Sequence, residues 1–140
     1  MKLVSYLSLL VCLTVFLVGC GGASDAPVTY PVSGNVTLDR EPLPAGDIIF
    51  RDAAGQAASA AGKIENGAYS FRATAGQKSV VITATKEIPG KTVVGGAPDE
   101  PPMPAVEQYL PAEYNEQTTL KADVSDSGAN EFNFELKSKE

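Results

Sequence analysis

Hydrophobic positions follow two different patterns along this chain. Leu3 to Val18 is an almost continuous apolar run, broken only by Ser5, Ser8 and Thr14. From Val32 the apolar residues alternate with polar ones instead. Val32, Gly34, Val36 and Leu38 fall on one side, and Ser33, Asn35 and Thr37 on the other, the period of a half-buried strand. Asp39 to Gly46 is dense in turn formers and leads into a second strand at Asp47 to Phe50. Arg51 to Ala57 reads as a loop, and Ser59 to Ile64 is weakly patterned. Asn66-Gly67 is a strong hairpin signal, because both residues tolerate the positive φ that tight two-residue turns need. Ala68 to Arg72 then sets Tyr69 and Phe71 on one face. Ala75-Gly76 turns the chain, and Lys78 to Thr85, centred on Val80-Val81-Ile82, is the most strand-like segment. Leu120, Ala122 and Val124 resume the alternation, Asp126 to Gly128 turns, and Phe132, Phe134 and Leu136 close it. About seven short strands with frequent turns predict an all-β chain folded as an antiparallel β-sandwich. Its core would include Tyr69, Phe71, Phe132 and Phe134.

Glu87 to Gln108 breaks this rhythm. Six of the ten prolines lie between Pro89 and Pro111, together with Gly90, Gly95 and Gly96. Proline cannot donate to a strand ladder and glycine weakens one, so 88–108 is expected to be a long loop outside the sheets. Binding residues concentrate on loops held by a rigid scaffold. That makes 87–114 the candidate contact surface, with Tyr109 and Tyr114 flanking Pro111 as possible ligand or partner contacts. Packing of the same two tyrosines onto the sandwich is the competing explanation.

The apolar run at the start is shorter than the roughly 20 residues of a membrane span and follows a single charge, Lys2, as in a signal peptide. It ends in Leu17-Val18-Gly19-Cys20, which resembles the bacterial lipobox: a leucine, two smaller residues, then cysteine. That resemblance implies diacylglycerol on the Cys20 thiol, cleavage before Cys20 and acylation of the new amine, palmitate being a typical chain. The chain then divides into a signal peptide over 1–19, a tether over 20–31 and a domain over 32–136. Cys12 leaves with the leader, so Cys20 is the sole mature cysteine and no intrachain disulfide can form. Each buried methylene contributes about 0.8 kcal/mol, so two or three acyl chains suffice for stable anchorage. The implied location is the cell envelope. Gly21 in place of an aspartate fits outer-membrane sorting under the lipoprotein rule.

Charge and composition narrow the chemistry. The formal net charge is −6, and losing Lys2 with the leader leaves ten basic against seventeen acidic residues. That acidity disfavours nucleic acid and anionic lipid surfaces. Histidine is absent, which excludes Ser-His-Asp and Cys-His catalysis and histidine-based zinc sites. Asp123 to Gly128 offers two carboxylates where calcium takes six to eight oxygens. Val94-Gly95-Gly96-Ala97 lacks the Lys-Ser/Thr of a phosphate loop. The expectation is a non-enzymatic monomer without metal or cofactor, acting as a structural or protein-interaction module on an envelope protein. A carbohydrate- or peptide-binding module is the alternative, weakened for glycans by the absence of tryptophan.

One family resemblance adds to this. Val32 to Gly46, reading VSGNVTLDREPLPAG, followed by Ile48-Ile49-Phe50, resembles the opening of a carboxypeptidase regulatory-like domain: V-x-G-x-V, a turn of the form D-G-x-P-L, then a β-run. Asn66 to Phe71 is similar to its G-x-Y-x-F strand, and Ala73 to Ile82 to its P-A-G-x-Y-x-V-x-V strand. Leu110 to Asn115, Leu120, and Asn130 to Leu136 resemble the ending of small bacterial lipoproteins carrying this domain. The match spans most of 30–136 apart from 88–108. Arg40 stands where the family turn often has glycine, and Lys78 where it has tyrosine. The resemblance implies a prealbumin-like (transthyretin-like) relative of the Ig-like sandwich, an accessory domain with no catalytic motif.

Overall fold

The structure is a computed structural model and describes residues 26–94 and 101–138. The leader, the cleavage box Leu17, Val18, Gly19 and Cys20, and residues 20–25 of the expected tether lie outside the described residues. The last three residues expected in the tether, Thr29 to Pro31, already belong to the first strand, where they pair with Arg72 to Thr74. The strands are β1 (Thr29–Leu38), β2 (Glu41–Pro42), β3 (Ala45–Asp52), β4 (Ala60–Glu65), β5 (Ala68–Thr74), β6 (Gly76–Thr83), β7 (Thr85–Val93), β8 (Met103–Gln108), β9 (Lys121–Val124) and β10 (Phe134–Leu136). Among the described residues there is one 3-10 turn, Ala112–Tyr114, between β8 and β9.

The main sheet runs β10-β1-β5-β4-β3-β6-β9, with β2 beside β1. Its fold-over point is the β4–β5 hairpin. Those strands pair only at Glu65 and Ala68, so β1, β5 and β10 close over β3, β4, β6 and β9 as the second layer of a sandwich. Asn66 at φ 51° and Gly67 at φ 82° make the turn with the backbone that Asn-Gly favours. The last strand departs from a purely antiparallel plan: β10 runs parallel to β1, pairing Val36 with Phe134 and Leu38 with Leu136. Alternation fixes which side of a strand is buried but not its direction, so this was invisible in the pattern.

Between the layers lie Val32, Val36, Ile48, Phe50, Ile64, Tyr69, Val80, Ile82, Val124 and Leu136, all buried. Phe50 is the hub of an aromatic cluster, with ring centroids 5.1 Å from Phe71, 5.9 Å from Phe132 and 6.4 Å from Tyr69, all edge-to-face. Tyr69 and Phe134 are buried, while Phe71 and Phe132 are half-buried against the same cluster. Gly34 lets the segment leading into β10 lie close against β1. A Cβ there would stand 1.8 Å from the Phe132 carbonyl oxygen, which also accepts the Tyr69 hydroxyl proton at 2.7 Å.

The 88–108 segment corrects the sequence expectation of a loop. Its two ends are strands, β7 and β8, which form a separate antiparallel ribbon. Proline is accommodated for two local reasons. Pro89 lies where the register shifts between Glu87 and Thr92, outside the regular ladder. Pro104, opposite Thr92, sits on a ribbon with no third strand to miss its donor.

Candidate interaction arm

The ribbon grows directly out of the core. β6 ends in Ile82 and Thr83, and buried Ala84 leads straight into β7. On the return, Gln108 bridges the two legs. Its side-chain oxygen accepts the Ala84 N–H at 3.0 Å and the Leu110 N–H at 3.3 Å. The Tyr109 N–H donates to the Ala84 carbonyl at 3.2 Å, and Leu110 is buried in the core. The foot is therefore fixed by polar bonds and a buried leucine.

Beyond the foot the described residues of the arm are largely exposed. Only Ile88 of β7 and Ala105 of β8 are half-buried; the other residues of both strands are exposed. Lys86 and Glu107 form an exposed cross-strand ion pair at 3.3 Å. Among the described residues, five large hydrophobics are exposed, and four of them are on the arm: Val93 (49%), Val94 (80%), Met103 (52%) and Val106 (57%). Scattered exposed apolar residues are ordinary, but their concentration on one projecting element marks a contact surface. A shallow groove of about 360 Å³ lies at the foot, lined by Gly46, Asp47, Lys63, Glu65, Thr83 and Thr85, with Lys63 paired to Asp47.

Strand register sets the arm at one end of the sandwich. β1 starts with Thr29 opposite Thr74, beside the turn that begins β6 at Gly76. β6 then runs the length of the sheet, from Gly76 opposite Val124 to Thr83 opposite Asp47. The tether therefore joins at one end and the arm leaves from the other, along with the Asp39-Arg40 and Asn66-Gly67 turns.

Tyr109 and Tyr114, the candidate contacts, are both half-buried and pack against the core cluster. The Tyr114 hydroxyl also accepts the Lys137 N–H at 3.0 Å, tying the 3-10 turn to the end of β10. Asp123 lies on β9 and Asp126 in the following turn. Among the described residues no three His, Cys, Asp or Glu side chains gather as metal ligands.

Sequence reasoning passed over one charged pair. Lys78 shares the inward face of β6 with Val80 and Ile82, and only 2% of it is exposed. Its ammonium donates to Asp52 at 2.8 Å and to the Thr74 hydroxyl at 2.8 Å. The second Asp52 oxygen accepts the N–H groups of Gln56 (2.9 Å) and Ala57 (3.2 Å), which pins the loop after β3. The hydrogen bond from Lys78, then those two backbone donors, pull the Asp52 carboxyl down to about 2. Strict alternation from Val80 would have placed Lys78 inward. Both its partners, Asp52 and Thr74, lie within the sandwich and are satisfied there, so the pair is structural.

No protein-family model, curated protein or solved structure matches this chain.

Proposed function

We propose that this protein is a non-enzymatic lipoprotein of the cell envelope, in which a sandwich of the carboxypeptidase regulatory-like kind serves as a scaffold for protein interaction. The observation that carries the reading is the arm: a ribbon fixed at its foot, exposed along its length and holding four of the five exposed large hydrophobics. The leader supports the anchor. Leu17-Val18-Gly19-Cys20 has the order a lipobox requires, and lipidation accounts for a lone mature cysteine. The outer membrane is the proposed location. A glycan shelf built from Tyr109 and Tyr114 is the weaker reading, because both rings are engaged with the core.

Substitution Cys20→Ala in the full chain tests the anchor. The expected result is uncleaved precursor that carries no acyl mass, whereas the unsubstituted chain carries acyl mass on its first mature residue. A mutant that is cleaved at the same position as the unsubstituted chain overturns the lipoprotein reading.

A further inference from the structure

We infer that Asn66 is a modification site guarded by the fold: the closed Asn66-Gly67 turn preserves it as asparagine, and opening of that turn lets it convert to aspartate or isoaspartate. The isoaspartate form cannot close the sandwich again.

Of the five asparagines, Asn66 alone precedes a glycine. Glycine has no Cβ to hinder its nitrogen, so this pair closes to a succinimide ring more readily than the other four. In an open chain the Gly67 nitrogen gives up its proton and attacks Asn66 Cγ. The N–Cγ bond forms, the Cγ–Nδ2 bond breaks, and the side-chain nitrogen leaves as ammonia, taking up a proton in place of the bond. Water then opens the ring at either carbonyl, which leaves aspartate or isoaspartate.

The fold withholds the attacking nitrogen. Asn66 is exposed, but Gly67 is buried and its N–H donates to the Leu43 carbonyl at 2.8 Å. The Asn66 N–H donates to the Pro44 carbonyl at 2.9 Å, and the Gly67 carbonyl accepts the Val36 N–H at 2.7 Å. Leu43, itself fully buried, donates its own N–H to the Val36 carbonyl at 3.0 Å. A free hairpin tip frays into water. This one is fastened to β1 and to the segment between β2 and β3, so its nitrogen is reached only when these bonds open together.

The glycine is also fixed in place. Its φ is 82°, and a Cβ there would stand 2.8 Å from Pro42 Cβ. The labile pair therefore sits at the fold-over of the main sheet, where β4 and β5 pair only at Glu65 and Ala68. Isoaspartate inserts a methylene into the backbone ahead of Gly67, which lengthens the turn and moves Gly67 away from Leu43 and Val36. Aspartate leaves the backbone unchanged, and Asp-Gly suits the same turn.

The test incubates the full-length protein in mild detergent at pH 8, either folded or in guanidinium chloride, and follows each asparagine by peptide mass and isoaspartate content. In guanidinium the Asn66 peptide should undergo the amide-to-acid change at least about tenfold faster than in the folded protein. Asn133, exposed in the same chain but followed by phenylalanine, should lag far behind it in guanidinium. After the denaturant is removed, chains with isoaspartate at position 66 should stay protease-sensitive while unconverted chains refold. Asn66→Asp should keep the parent unfolding midpoint, which separates the lengthened backbone from the added charge. Equal conversion rates in the two conditions, or no conversion in guanidinium, overturn the guarded site. Isoaspartate chains that refold to the parent midpoint, or an Asn66→Asp variant that fails to fold, overturn the block on closure.

Discussion

Asp52 and Lys78 stand directly opposite each other on β3 and β6, and their 2.8 Å ion pair closes the tether end of the core. The lysine is buried, while the carboxylate sits at the rim with 11% of its side chain exposed. Breaking such a pair strands the buried member. Asp52→Ala should therefore clearly lower the urea unfolding midpoint, because the Lys78 ammonium keeps only Thr74 as a partner. Lys78→Met should be far milder, since it removes the buried charge and retains most of the volume.

Acid should act through the same carboxylate. Asp52 titrates at about 2 in the folded chain against an ordinary 3.8. A depressed folded value means that the stabilisation is fully present above pH 4 and is lost as pH falls toward 2. Thermal unfolding followed between pH 5 and pH 2 should show a fall in midpoint over this window that is smaller in Asp52→Asn. Identical pH profiles for the two proteins would contradict the assignment.

Gly34→Ala should be among the most damaging single-methyl changes available. The new carbon would meet the Phe132 carbonyl oxygen, a backbone group held by the Tyr69 hydroxyl and by the Phe132 N–H bond to Ser33. Overpacking of this kind costs about 3 kcal/mol or more. A variant with unchanged urea midpoint would show that β1 and the segment leading into β10 are not in such close contact.

Arg40→Gly should move stability the other way. Asp39 at φ 53° and Arg40 at φ 73° form a tight turn in the left-handed region, which costs a non-glycine residue roughly 1–2 kcal/mol. Part of that gain is offset because glycine is freer in the unfolded chain, leaving a net increase of about 0.5–1 kcal/mol. Calorimetry reads this directly as a higher midpoint.

Much of the sandwich was legible beforehand because its signals are local. The alternation at Val32 to Leu38, the Asn66-Gly67 turn and the run through Val80 depend only on neighbouring residues. Three features were not legible, each for a physical reason. The parallel pairing of β10 with β1 is set by the long return from Val124 to Phe134. Buried Lys78 was obscured because a lysine inside is stable only with a partner, and Asp52 is twenty-six positions away. The arm was hidden because proline argues against strands in general but not against the free side of an isolated ribbon. Within the candidate stretch 87–114, Tyr109 and Tyr114 pack against the core, while Val93, Val94, Met103 and Val106 face out.

The arm should be removable. Replacing Gly90 to Met103 with Asn-Gly leaves the Gln108 bridge and Leu110 in place, and its described residues are exposed, so stability should change by less than about 1 kcal/mol. In the intact chain, limited proteolysis should cut after Lys86 or Lys91 before any site in the sandwich. Unfolding on deletion, or first cleavage within β3 or β6, would make the arm an integral part of the core.

The central claim is that lipid attachment and recognition occupy opposite ends of one rigid sandwich. The most direct test places a nitroxide on cysteine at Ala54 or Val94 of the lipidated protein in vesicles and measures relaxation by a membrane-bound nickel chelate. Relaxation should be strong at Ala54, beside the tether end, and weak at Val94 on the arm. Equal relaxation at both sites, or a Val94 label deeper than Ala54, would contradict the account.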